Sequence, residues 1–314
     1  MASYLVRRLV MLAATLLVSS LVVFAGLSAA PGDPLATLSG GRSLPPQTVA
    51  LLVERYHLNE PFLVRYASWL GGAARGDLGV SIQLRQDVST LIASRAGTTL
   101  GLIGYAALIV VVVGVAAGLL AALRPGTVDT LVVAATAVVV AVPPFVAAMA
   151  LIGVFAVGLR WLPALGDGAG LWDGVRHLTL PALALAAASA AAVARVTRTS
   201  VREELGREHV QTAVARGIPY AAVVRRHALR NAAVPIGTLT GMTVASMIAL
   251  AAVVERAFGL SGLGAALVNA ALSKDFAVVQ GISLVLVTAF VLVNTLVDMG
   301  AALLDPRITL GGRS

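Results

Sequence analysis

At 314 residues the chain is 58% apolar and 12% charged, against roughly 25% charged for a soluble domain. That is too little charge to cover a soluble surface, and it sits in short basic stretches between long uncharged runs, a pattern that suits a bilayer. The lack of cysteine excludes disulfides and thiolate sites, and a formal charge of +8 reads here as arginine anchoring at a membrane face and not as a nucleic-acid footprint.

Six uncharged runs occur in chain order: 9–30, 98–123, 130–157, 178–194, 232–254 and 278–297. Most exceed the ~20 residues that cross about 30 Å of hydrocarbon as a helix. They predict an all-α polytopic membrane protein with six transmembrane helices. The fourth run, at 17 residues, sits at the lower limit. The first follows Arg7 and Arg8 and ends in Ser28-Ala29-Ala30, which also describes a secretory signal. Its 22 residues exceed the roughly 7–15 of a signal core, which favours an uncleaved helix.

Residues 31–97 carry six arginines and five acids and are expected to form a small extracytoplasmic domain. Region 1–30 then holds the amino-terminal end and first helix, and 98–314 holds the remaining helices. Arg7 and Arg8 place the amino terminus inside, and six crossings return the carboxyl terminus inside. The segment 195–231 carries Arg195, Arg198, Arg202, Arg207, Arg216, Arg225, Arg226 and Arg230 against three glutamates, so it belongs in the cytoplasm.

Within the runs, Gly114 with Gly118 and Gly237 with Gly241 are small-xxx-small pairs that permit close helix approach. Pro143-Pro144 interrupts the third run and Pro235 lies near the start of the fifth; a lined pathway and a plain kink both fit. His57, His177, His209 and His227 lie in separate segments, and no metal site is expected.

The basic segment carries its own pattern. Residues 203–216 are predicted helical, with Val210, Ala213 and Val214 on one side. Gly217 suits the C′ position, and Pro219 opens a second helix at N1 that runs to about Arg230. Two readings fit this helix–glycine–helix: an interfacial hairpin holding lipid phosphates, or a docking element for a cytoplasmic partner.

Thr212-Ala213-Val214-Ala215-Arg216-Gly217, then His227-Ala228-Leu229-Arg230-Asn231 and Pro235, resemble the cytoplasmic loop of ABC-transporter permeases of the binding-protein-dependent dipeptide/oligopeptide (peptide/nickel) importer family. Gly32-Asp33-Pro34, Gly76-Asp77-Leu78-Gly79 with Ser81, then Glu255, Phe258, Gly262-Leu263-Gly264 and Asp305-Pro306-Arg307 match its pattern in order. Gln211-Thr212-Ala213 stands where the general permease loop has Glu-Ala-Ala, His209 replaces an aromatic, and Ser261 replaces a proline.

The resemblance implies a type I importer permease fold. It makes 208–226 the coupling element that docks on the ATPase, through Glu208, His209, Gln211, Thr212, Ala213, Ala215, Arg216, Gly217, Ile218, Pro219, Arg225 and Arg226. It also implies a homologous second permease, two ATP-binding subunits holding ATP and magnesium, an extracytoplasmic solute-binding protein, and peptide import across the cytoplasmic membrane. Relatives with this loop for nickel chelates, glutathione or opines supply the alternative cargoes.

Leu38-Ser39-Gly40-Gly41-Arg42 imitates the ATPase signature, but no G-x-x-x-x-G-K-[ST] occurs and the single lysine, Lys274, follows Leu272-Ser273. Nucleotide hydrolysis is therefore expected on partner chains, with no cofactor here. No G-x-S-x-G is present, so no catalytic residues are expected. An ion-driven transporter calls for carboxylates near the midplane, whereas Glu255 and Asp298 flank the runs.

Overall fold

The computed structural model describes residues 2–29, 45, 47, 60–81 and 83–304. Most of these are helical, and the extended pairing among them is an isolated antiparallel bridge between Val80 and Asp87. In chain order the helices are α1 (Ala2–Ala29), α2 (Phe62–Ala73), α3 (Val88–Leu123), α4 (Thr127–Ala141), α5 (Pro144–Gly158), α6 (Gly170–Leu205), α7 (Glu208–Ala215), α8 (Tyr220–Ala257), α9 (Leu263–Leu272) and α10 (Phe276–Leu304). The chain divides into two compact units, one of Met1–Thr99 with Ser261–Val291 and one of Leu100–Leu260 with Leu292–Ser314.

In the first unit, the start of α3 packs against α9 and the start of α10 through Val88, Leu91, Leu263, Ala266, Val278 and Ile282. Gly281 makes this possible, since a Cβ there would lie 2.6 Å from a Val88 methyl. The loop before α3 is held on the α9–α10 turn by the Ser81 hydroxyl, which donates to Asp275 Oδ2 at 2.6 Å. At the other side of the unit α2 lies on α1. Phe24 is buried among Phe62, Tyr66 and Trp69, with ring centroids 5.4–5.8 Å away.

The second unit is built on α6, which packs against α3, α4, α5 and α8. An alanine-rich helix can be approached closely, and α3 does so at its two glycines. A Cβ at Gly114 would lie 2.9 Å from the Ala190 carbonyl oxygen, and one at Gly118 would overlap the Ala194 carbonyl and the Thr197 side chain. Of the second pair, Gly241 meets Val297 in the same way, whereas Gly237 faces open space.

The helices differ from the uncharged runs in shape and extent. The third run is not one straight span: α4 and α5 are bent by 104°, because Pro144 lacks an N–H and Pro143 forces Val142 into an extended conformation (ψ 118°). The fourth run, the shortest in sequence, lies inside α6, whose 36 residues make a rod about 54 Å long; absence of charge marks the hydrocarbon depth and not the helix ends. Among the described residues, four helices (α3, α6, α8 and α10) are long and apolar enough to cross a membrane, and the bent α4–α5 pair makes up to five. The apolar stretch Val10–Gly26 of α1 is shorter. Of the expected extracytoplasmic domain, residues 31–44, 46, 48–59 and 82 lie outside those described.

Candidate functional site

The segment joining α6 to α8 is assembled from local rules. Gly206 ends α6, its N–H donating to the carbonyls of Arg202 and Glu203 at 3.1 and 3.2 Å. Arg207, extended at ψ 148°, caps α7, which begins with Glu208, an acid where the helix dipole favours one. Thr212 Oγ1 donates back to the Glu208 carbonyl (2.9 Å) and Gln211 Nε2 to the Gly206 carbonyl (3.1 Å). Val210 and Ala213 turn inward and meet Val223 and Leu205 in a small core.

The helix then closes in a Schellman motif. Gly217 N–H donates to Val214 O (2.9 Å) and Ile218 N–H to Ala213 O (3.2 Å), with Gly217 at φ +78°, the left-handed geometry this closure requires. A Cβ on Gly217 would meet nothing within 4 Å, so backbone conformation alone makes glycine the fitting residue. Pro219 stands at the N-cap of α8 with ψ 135°, one position before the expected N1.

The expected pair of separate helices is also revised. Glu203–Leu205 belong to α6, and Gly206 and Arg207 break the predicted 203–216 helix. The second helix does not stop near Arg230. It passes through a π-turn at Val224–Ala228 and continues as α8 to Ala257, since Pro235 is accommodated within the helix and no other breaker intervenes. The knob is therefore one short helix strapped between two long ones.

A cluster that sequence reading missed fastens the strap. Glu204 is buried at the end of α6. Its Oε2 accepts from Asn231 Nδ2 of α8 at 3.0 Å, and its Oε1 lies 3.0 Å from Arg207 Nε. His209 Nε2 stands 3.9 Å from Oε2, and the His209 and His227 rings are 6.4 Å apart. A second cluster lies where α3, α4 and α6 meet. Arg198 grips Asp129 with two nitrogens, and Arg202 Nη2 reaches both Asp129 Oδ2 (2.9 Å) and the Ala121 carbonyl (3.1 Å). The signal was present: Asp129 is the sole acid between residues 88 and 166, and Arg195, Arg198 and Arg202 fall at helical spacing.

The fold leaves most of the predicted loop residues exposed. Glu208, His209, Gln211, Thr212, Ala215, Arg216, Gly217, Ile218, Pro219, Arg225 and Arg226 are exposed, while Ala213 is buried beneath them. Val214, Ile218 and Tyr220, 36–56% exposed, add an apolar component. Of the wider motif residues, Arg230 is exposed, His227 is half-buried and Asn231 holds Glu204. Gly76 and Gly79 have φ of +87° and +84° in a turn where the Asp77 carboxylate accepts from the Gly79 N–H at 2.9 Å. Glu255 is fully buried near the end of α8. Gly262 caps α9 and Gly264 is buried within it. Gly32, Asp33, Pro34, Asp305, Pro306 and Arg307 lie outside the described residues. Among the described residues no group of three or more His, Asp or Glu side chains is placed to hold a metal ion.

Residues 114–310, which include this entire loop, match the family described as binding-protein-dependent transport system inner membrane component. The chain belongs to that family. Residues 1–103 match the description of its amino-terminal part. Relatives cover 98% of the chain and are themselves covered to 99%. They include a Sinorhizobium fredii protein named "Probable peptide ABC transporter permease protein y4tP" (36% identical), the oligopeptide transport system permease protein OppB of Salmonella typhimurium (35%) and the glutathione transport system permease protein GsiC of Escherichia coli (36%).

Proposed function

We propose that this chain is the transmembrane permease subunit of an ABC importer that moves peptides across the cytoplasmic membrane, and that 208–226 is the element through which ATP hydrolysis on partner subunits moves its helices. The observation that carries this reading is the strap itself. A short, turn-locked helix with exposed Arg216, Arg225 and Arg226 and exposed Val214, Ile218 and Tyr220 is joined without slack to α6 and α8. A load on its surface is delivered to both long helices, as a rigid-body switch requires.

Six crossings are proposed: α1, α3, the bent α4–α5 pair, α6, α8 and α10, with both termini cytoplasmic. A homologous second permease, two ATP-binding subunits that hold ATP and magnesium, and an extracytoplasmic solute-binding protein complete the assembly. Similarity to two relatives named for peptides supports the cargo. Similarity to GsiC supports glutathione, itself a tripeptide, as the second reading.

The test is reconstitution in proteoliposomes. Uptake of labelled peptide is expected only when the ATP-binding subunits, binding protein and ATP are all present, and the purified permease alone should not retain ATP. Uptake driven by a proton or sodium gradient without those subunits would refute the assignment.

A further inference from the structure

α2 is built unlike a helix of a water-exposed domain. Its sequence, FLVRYASWLGGA, places Phe62, Tyr66 and Trp69 at i, i+4 and i+7, and this stripe closes on Phe24 of α1. The opposite side presents Leu63 (70% exposed) and Val64 (49%), with Ala67 and Ser68 beside them. A helix at an aqueous surface carries charge on its free face, and one that is apolar all round belongs in a protein core or in lipid. The one charged residue of α2, Arg65, is held over the Phe24 ring at 5.9 Å.

The level of contact on α1 gives the depth. The apolar run that begins in α1 ends at position 30, before Pro31-Gly32. Phe24 is six residues below that end, about 9 Å at the helical rise. The Tyr66 hydroxyl reaches deeper, to Ser20 Oγ at 2.8 Å and the Leu17 carbonyl at 3.2 Å. Ser20 is ten residues from the end, about 15 Å, half of a ~30 Å hydrocarbon core. A helix of 12 residues is too short to cross. One whose rings gather on Phe24, with the Tyr66 hydroxyl alone reaching down to Ser20 and Leu17, lies within a single leaflet, its axis near the ~5–10 Å depth typical of interfacial helices.

We propose that α2 is an interfacial helix lying in the outer leaflet, with its face of Leu63, Val64 and Ala67 in contact with lipid acyl chains. The inference rests on the proposed reading that α1 crosses the membrane with its carboxyl end outside. Part of the segment expected to be an aqueous domain is then a membrane-seated brace on α1.

The cysteine-free chain allows a direct test. Single variants Leu63→Cys, Ala67→Cys, Val22→Cys and Gln83→Cys are nitroxide-labelled in the reconstituted transporter. Their collision rates with oxygen and with a water-soluble nickel chelate are then compared. Labels at 63 and 67 are expected to favour oxygen as strongly as the label at 22 on α1, with the ratio reversed at 83. If 63 and 67 follow 83 while 22 favours oxygen, α1 spans but α2 lies in water, and the proposal fails alone. If 22 itself favours the nickel chelate, the spanning reading of α1 fails and the proposal falls with it. Shielding of 63 and 67 from both reagents means that protein covers this face, which overturns the assignment to lipid.

Discussion

Gly217 separates two explanations for the loop, because its surroundings are empty and its backbone is not. With no atom within 4 Å of a Cβ, a substitution suffers only from φ +78°. Valine is a steric outlier there, at a cost on the order of 1–3 kcal/mol, while asparagine tolerates the left-handed region. Gly217→Val is expected to lose ATP-driven uptake with normal membrane insertion, whereas Gly217→Asn keeps most of it. Arg225→Ala is expected to lose less than Gly217→Val, as one rim charge among several. Equal activity of the valine and asparagine variants would show that turn geometry is irrelevant to coupling. Glu204 makes a different kind of claim. Removing Asn231 leaves a buried carboxylate oxygen short of its donor, a defect of about 1–3 kcal/mol. Asn231→Ala should therefore lower the unfolding temperature and weaken coupling, and Glu204→Gln should cost less in that background than alone. Additive effects in this double-mutant cycle would mean that the 3.0 Å contact contributes no coupling energy.

Among the elements, the contact between α3 and α6 is the one that glycine permits. Gly118→Leu would drive a side chain into backbone at Ala194, which cannot yield as the end of a flexible side chain can. That variant is expected to misassemble and to disappear from the membrane fraction. Gly237→Ala, at an open position, is expected to insert and transport like the parent. Normal accumulation of Gly118→Leu would place α3 farther from α6 than the close approach of Gly118 to the Ala194 carbonyl allows. The same comparison shows how much small-xxx-small spacing says unaided. Both pairs carry one pattern in sequence, yet three of the four glycines sit at a contact and Gly237 does not. A pattern supplies the opportunity for close approach, and only a partner helix at the right azimuth uses it.

At the scale of the whole molecule the proposed topology has a simple consequence. The turn before α3 and the basic strap lie on opposite sides of the membrane. Cysteine at Gln83 is expected to react with an impermeant thiol reagent on intact cells, and cysteine at Ser200 only after permeabilisation. The reverse pattern would invert the molecule, and labelling of both on intact cells would break the six-crossing arrangement. What the sequence by itself determined was that the chain is an α-helical membrane protein, where its apolar depths lie, and the closing turn at Gly217 and Pro219. Charge exclusion from hydrocarbon and the φ preferences of glycine and proline act locally, so single residues report them. Only the tertiary structure decided how far α4 and α5 bend apart at Pro143-Pro144, that α6 extends far past its uncharged stretch, and that the second loop helix merges into α8. It also decided the pairing of Glu204 with Asn231, 27 residues on, and of Asp129 with Arg198, 69 residues on. A lone acid or a row of arginines at helical spacing shows in the sequence, but which partner it takes does not. Each pairing exists only once two helices have packed.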